Sequence, residues 1–181
     1  MTRDEALRIL ENAEQICSAA EVTAAVSRVA GEVTTALAGC NPLVLAVMGG
    51  ATIFAGHLLP LLLFPLEYDY LHASRYGDAI TGGELAWIVE PRTSVHGRTV
   101  LLVDDILDEG ITLAAIKQRL LGLGALACYT VVFTDKSIGR PKPIVADFVG
   151  LTLPNRYVFG FGMDIRGAWR NLPAIYALKN G

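Results

Sequence analysis

At 181 residues and 19.4 kDa the chain has the size of one domain, long enough to bury roughly two thirds or more of its unfolded surface without staples. Charged residues are 18% and apolar residues 52%, with a mean hydropathy of +0.44, which excludes an intrinsically disordered chain. Lys plus Arg number 15 against 18 Asp plus Glu, and the formal net charge of −3 offers no general field for nucleic acid.

Thr2-Arg3-Asp4-Glu5 and Ser18-Ala19-Ala20-Glu21 match the capping box, in which a hydroxyl and a carboxylate three residues later satisfy orphan amides reciprocally. They predict helices running to about Ile16 and to Leu37 or Ala38, the second stopped by a left-handed Gly39. After Pro42, the segment Leu43–Val47 reads as a strand buried on both faces. Gly49-Gly50 is a turn, and a helix follows over about 51–62. A strand is expected over 66–71, then a long loop or flap over 73–83 with three glycines among polar residues. β character resumes over 84–89, and 91–97 is a turn. Thr99–Val103 predicts a strand ending in Asp104-Asp105, followed by a helix over about 112–121 closed by Gly122 or Gly124, and a strand over 126–133. The remainder, 144–177, reads as strand-rich with a short final helix near Ala168. Strand, helix and strand with short joins call for a parallel sheet with a right-handed crossover, so the fold class is a single α/β domain.

Location follows from composition. Leu43–Leu66 is free of charge for 24 residues, long enough to span a membrane. Gly49, Gly50, Gly56, Pro60 and Pro65 break it, His57 sits inside it, and no Lys or Arg lies close to either end. A buried strand, tight turn and buried helix in series explain the run better than a membrane span. The charged start Met1–Glu5 does not resemble a secretory signal. Cys17, Cys40 and Cys128 are odd in number and lack metal-site spacing, so a reduced, cytoplasmic chain is expected.

Chemistry concentrates in Thr99–Leu113. Five apolar β-formers deliver Asp104 and Asp105 to the carboxyl end of a strand, where open parallel sheets bind ligands. Asp108 follows in the turn. Three acids in one turn would be costly to bury without cations, so they belong in a wet cleft. Gly110 and Thr112 then open a helix whose free amides, dipole end and hydroxyl make a phosphate cradle. Carboxylates for a ribose or metal beside a phosphate cradle describe a site for a phosphorylated sugar.

Val-Asp-Asp-Ile-Leu-Asp-Glu-Gly-Ile-Thr at 103–112 resembles the signature of the type I phosphoribosyltransferases. These enzymes displace pyrophosphate from phosphoribosyl pyrophosphate with a nitrogenous base. Thr134-Asp135-Lys136, Ala146–Leu151, Tyr157–Asp164 and Arg170–Pro173 are similar to the C-terminal part of the hypoxanthine-guanine members. The resemblance covers most of the chain after residue 40. It implies a central, mainly parallel sheet flanked by helices, with N-terminal helices over 1–40, a core over 43–135 carrying the flap, and a small strand-rich purine-binding hood over 136–181.

The same resemblance implies the site. Asp104 and Asp105 hold the ribose hydroxyls, and the main chain of Asp108, Glu109, Gly110, Ile111 and Thr112 holds the 5′-phosphate. Asp108 is the general base. Gly49, Gly50, Ser74, Tyr76 and Arg170 meet the pyrophosphate, although Met48 stands where the family commonly has Lys or Arg, Arg75 appears inserted in the flap's Ser-Tyr-Gly, and Glu109 replaces a usual Thr or Ser. Lys136, Tyr157, Val158 and Asp164 form the purine site, the ammonium facing a 6-oxo group and the ring stacking on the base. Asp104, Asp105 and Asp164 hold Mg2+. The implied reaction is purine salvage, making inosine or guanosine monophosphate, with small-molecule substrates, no nucleic-acid or membrane partner, and a homodimer or homotetramer. A xanthine-preferring enzyme and a non-enzymatic sensor of phosphoribosyl pyrophosphate are the alternatives.

Overall fold

The computed structural model describes residues 1–75 and 85–179. Helix α1, Arg3–Glu11, opens with the complete capping box of Thr2 and Glu5. It ends well before the expected Ile16, because Ala13–Cys17 forms strand β1, which pairs antiparallel with Ile175–Leu178 near the far end of the chain. Asn12 closes the helix, its side-chain amide donating to the Arg8 carbonyl at 2.8 Å. Helix α2, Ala19–Leu37, starts at the Ser18 box and buries Val22, Ala25, Val26, Val29, Ala30, Val33 and Leu37, the i, i+3, i+4 stripe of a core-facing helix. Gly39 is not left-handed; the chain reverses instead through Asn41, with φ of 44°.

Strand β2, Leu43–Val47, is buried throughout and lies inside a six-stranded sheet. Its neighbours are β3, Glu67–Arg75, and β5, Thr99–Leu107, both parallel to it. Beyond β5 come β6, Ala127–Ser137, and β7, Phe148–Pro154, also parallel. β4, Leu85–Val89, is the single antiparallel edge, beside β3. β3 runs through Arg75, so the expected flap loop loses its first residues to the sheet, and its remainder lies outside the described residues.

Alternate residues of the central strands feed opposite cores. Val44, Ala46, Leu101 and Val103 pack with α2 and with α3, Ala51–Leu58. Leu43, Leu45, Val100 and Leu102 pack with Leu113, Ile116 and Leu120 of α4, Ile111–Gly122. This is the period-2 pattern of a sheet covered on both faces. The uncharged run is thus strand, turn and helix, the helix giving way to a 3₁₀ turn at Leu59–Leu61 around Pro60. Among the described residues no helix is long and apolar enough to cross a membrane.

A second, antiparallel sheet joins β1, β9 (Ile175–Leu178) and β8 (Val158–Phe159), and forms the hood. No helix forms near Ala168. Ile165 and Ala168 bridge across Arg166 and Gly167, with φ of 52° and 84°, a two-residue turn with both central residues left-handed. The Asp164 carboxylate accepts the Gly167 N–H at 2.6 Å and holds that turn. Trp169 donates its indole N–H to the Ala6 carbonyl at 2.9 Å, tying the segment to α1.

Candidate active site

β5 is longer than its apolar run predicts. Its pairing with β6 continues through Asp104↔Val132, Ile106↔Thr134 and Leu107↔Asp135, so both adjacent acids sit within the strand rather than after it. Successive side chains of a strand point to opposite faces. Asp104 lines a cleft with Ile106 and residues 107–113, whereas Asp105 lines one with Asp108, Lys136, Tyr157, Val158, Met163 and Asp164. The Asp105 N–H donates to Asp104 Oδ1 at 2.9 Å. Burial, and then the neighbouring Asp105 charge, push the Asp104 carboxyl well above the usual range. Burial also raises Asp105, opposed by its hydrogen bond with Asp104 and by the Arg170 guanidinium.

Asp105 explains one glycine of the pair. A Cβ on Gly50 would lie 1.9 Å from Asp105 Oδ2, so the carboxylate occupies the space of the missing side chain. Gly162, with φ of +100°, closes on the same loop, and a Cβ there would lie 2.3 Å from the Gly50 carbonyl. Among the described residues nothing lies within 4 Å of a would-be Cβ on Gly49. Arg170 stands over this corner. It donates to the Gly162 carbonyl and to Asp164 Oδ1, both at 2.5 Å, and its guanidinium is 3.9 Å from Asp105.

The phosphate cradle forms as the residue types dictate. Gly110, with φ of 78°, turns the chain into α4 and has no side chain to cap it. The first intrahelical bond runs from the Ala114 N–H to the Gly110 carbonyl at 3.0 Å, leaving the Ile111, Thr112 and Leu113 amides without an intrahelical partner. These residues line a cleft of about 360 Å³ with Asp104, Asp108 and Glu109. The Glu109 carboxylate is taken by Arg140 at the surface, which offsets the charge that would otherwise oppose an anion there.

The second cleft, about 200 Å³, has Lys136 on β6 and Asp108 paired across it, Nζ to Oδ2 at 3.0 Å. Tyr157 is half-exposed, with its hydroxyl 3.5 Å from the Asp164 carbonyl, and stacks on no other ring among the described residues. A flat ring, an ammonium and a buried Val158 beside it suit a planar heterocycle carrying an oxo group. Ser74 lies in β3 opposite Ala86, and Tyr76 falls outside the described residues.

Asp104, Asp105 and Asp164 offer hard oxygen donors. Among the described residues no three acidic, histidine or cysteine side chains close into a metal cage. Asp105 and Asp164 line one cleft and Asp104 the adjoining one; sparse carboxylates of this kind fit magnesium, which keeps several waters and takes one or two protein carboxylates plus substrate oxygens.

Local reading missed several polar residues that fix the framework. Lys142, in the Arg140-Pro141-Lys142-Pro143 segment, donates to the Leu107 carbonyl at 2.6 Å and to Asp135. Asp147 accepts from the Thr130 N–H at 2.7 Å, the Thr130 hydroxyl at 2.8 Å and Lys117 at 3.2 Å, anchoring β7 to β6. Asp69 accepts the Tyr70, Arg92 and Thr93 amides at 2.7–2.8 Å, fixing the 91–97 turn. Two bases interleaved with prolines were the one available signal of a rigid strap.

Residues 12–166 match the family model of the phosphoribosyl transferase domain. The chain belongs to that family. It is 34% identical over 165 residues to the hypoxanthine-guanine phosphoribosyltransferase of Bacillus subtilis, covering 91% of this chain and 92% of that one. It is 40% identical over 149 residues to the bifunctional protein TilS/HprT of Listeria monocytogenes, covering 82% of this chain; the match spans only 23% of that longer protein. The crystal structure of a hypoxanthine phosphoribosyltransferase from Staphylococcus aureus superposes with a TM-score of 0.88 at 25% identity, over 98% of this chain and 97% of that one. In this chain the two clefts lie at the carboxyl ends of the parallel strands β5 and β6.

Proposed function

We propose that the chain transfers the 5-phosphoribosyl group of phosphoribosyl pyrophosphate to hypoxanthine or guanine, giving inosine or guanosine monophosphate and pyrophosphate. One observation carries this reading: the cleft suited to a base and the cleft suited to a phosphate adjoin, and they share Ile106 and Asp108. A base, a ribose and a phosphate in that order fill both. Residues 43–135 then serve the sugar phosphate and residues 136–181 serve the base.

In the reaction the C1′–oxygen bond to pyrophosphate breaks and its electron pair leaves with the pyrophosphate. The C1′–nitrogen bond to the purine forms, and the proton of that ring nitrogen passes to Asp108. Asp108 must first be released from Lys136, which turns its ammonium to the 6-oxo group and stabilises the charge growing there. Tyr157 stacks on the purine, and the main chain at Val158 reads its edge. The amides of 108–112 fix the 5′-phosphate, Asp104 and Asp105 hold the ribose hydroxyls, and Gly49, Gly50, Ser74, Tyr76 and Arg170 meet the leaving pyrophosphate. Asp104, Asp105 and Asp164 are the residues that would hold magnesium, which would supply charge neutralisation for the leaving pyrophosphate.

A spectrophotometric screen of hypoxanthine, guanine, xanthine and adenine with phosphoribosyl pyrophosphate and magnesium tests the proposal. Turnover of the first two and rejection of adenine are expected, since the 6-amino group would face the Lys136 ammonium donor to donor. Turnover of none of them refutes it.

A further inference from the structure

We infer that Lys142 is a positioning residue for the Asp108–Lys136 pair, acting through the strap of residues 140–144. The inference rests on the proposed function for the meaning of that pair, but not for its geometry. Leu107 of β5 and Asp135 of β6 form the last registered rung between the two strands, and the very next residues are Asp108 and Lys136. Lys142 closes this rung from outside: its side chain is only 11% exposed, and its ammonium donates to the Leu107 carbonyl at 2.6 Å and to the Asp135 carboxylate.

The same strap grips the other side of Asp108. Arg140 pairs with Glu109, and Ile144 packs where a Cβ on Gly110 would stand, its methyl 3.1 Å away. Residues 107, 109 and 110 are therefore all held by one short segment, while the Asp108 side chain itself is half-exposed and has Lys136 as its partner. The Arg140–Glu109 pair is exposed on both sides, and such pairs contribute little. Lys142 is different, because a shielded ammonium with a carboxylate and a carbonyl as acceptors makes charge-assisted bonds that water competes for poorly. Removing it leaves the end of the β5–β6 ladder free to splay and the distance between base and ammonium undefined. Displacement by about 1 Å can cost on the order of a hundredfold in rate.

The test compares Lys142→Met and Lys142→Arg with the parent by two readouts. Hydrogen exchange should show loss of protection of about tenfold or more over residues 107–112 and 135–137 in Lys142→Met, with the remainder of the sheet unchanged and substantial recovery in Lys142→Arg. Steady-state assays should show kcat lowered roughly 10- to 100-fold in Lys142→Met, the purine KM raised, and kcat largely restored by Arg. Unchanged protection over 107–112 overturns the inference, as does a folded Lys142→Met with kcat within threefold of the parent. If the parent transfers no phosphoribosyl group, the proposed function fails by itself and the exchange readout alone decides the positioning role. Should Lys142→Met not fold, Asp135→Asn removes the charge of one of the two acceptors and must show the same local deprotection at smaller amplitude.

Discussion

Adjacent glycines in the turn after β2 should respond oppositely to the same added methyl group. At Gly50 the new Cβ would meet Asp105 Oδ2 at 1.9 Å, Cγ at 2.3 Å and Oδ1 at 2.7 Å. Ordinary contact begins at about 3.4 Å, so the whole carboxylate must retreat by roughly 1.5 Å. Asp105 is only 9% exposed, so its short side chain has little room for that retreat. Overpacking of this kind costs about 1–3 kcal/mol, or roughly 2–12 °C in Tm for a domain of this size. Gly49→Ala meets nothing within 4 Å among the described residues and should leave Tm within about 2 °C. Its methyl would instead project into the space proposed for the pyrophosphate and raise the KM for phosphoribosyl pyrophosphate. Differential scanning fluorimetry on both variants, followed by steady-state kinetics, checks the pair. Equal Tm values for the two variants would refute the reasoning from Asp105, and an unchanged KM in Gly49→Ala would remove that glycine from the pyrophosphate site.

Asp108→Asn should lower kcat by roughly a hundredfold or more with little change in phosphoribosyl pyrophosphate binding by calorimetry; unchanged turnover removes Asp108 as base. Lys136→Ala should mainly weaken purine use, and unaltered purine affinity would show that the ammonium does not read the base. Because the Asp104 and Asp105 carboxyls are raised by burial, the folded state binds protons more tightly than the unfolded chain. Their stabilisation is complete below the ordinary aspartate value near pH 4 and is lost as pH rises through the raised values, at up to about 1.4 kcal/mol per pH unit per proton. Asp104→Asn should therefore gain Tm over the parent progressively with rising pH while losing activity, and a Tm difference flat from pH 4 to 8 would contradict the assignment. Asp69→Ala orphans three backbone amides and should cost about 1–3 kcal/mol by urea titration.

Much of the site was legible in Thr99–Leu113 because strand, acids and helix start are consecutive, and their chemistry needs no long-range information. The match of 157–164 and 134–136 to a known family placed Tyr157, Val158, Asp164 and Lys136, which the fold does bring to one cleft with Asp105 and Asp108. Local reading failed where partners lay far along the chain. Residues 12–16 continue an acceptable helical pattern, yet β9 offers them a ladder, and the helix stops at Glu11. The apolar run ends the strand at Asp104-Asp105, yet β6 pairs with it as far as Leu107↔Asp135. The segment at Ala168 reads as a helix, yet the Asp164 carboxylate and two left-handed residues fold it into a tight turn.

By itself the sequence determined the capped starts of α1 and α2, the buried β2 strand, and the order of acids and glycine that ends β5 and begins α4. These depend on hydrogen bonds and periodicities within a few residues. Tertiary structure alone decided that Asp105 fills the space of Gly50's absent side chain, that Arg170 shares Asp164 and approaches Asp105, and that Lys142 clasps the final rung before Asp108. Each joins groups remote in sequence whose partner is selected by packing geometry, and no local period carries that information.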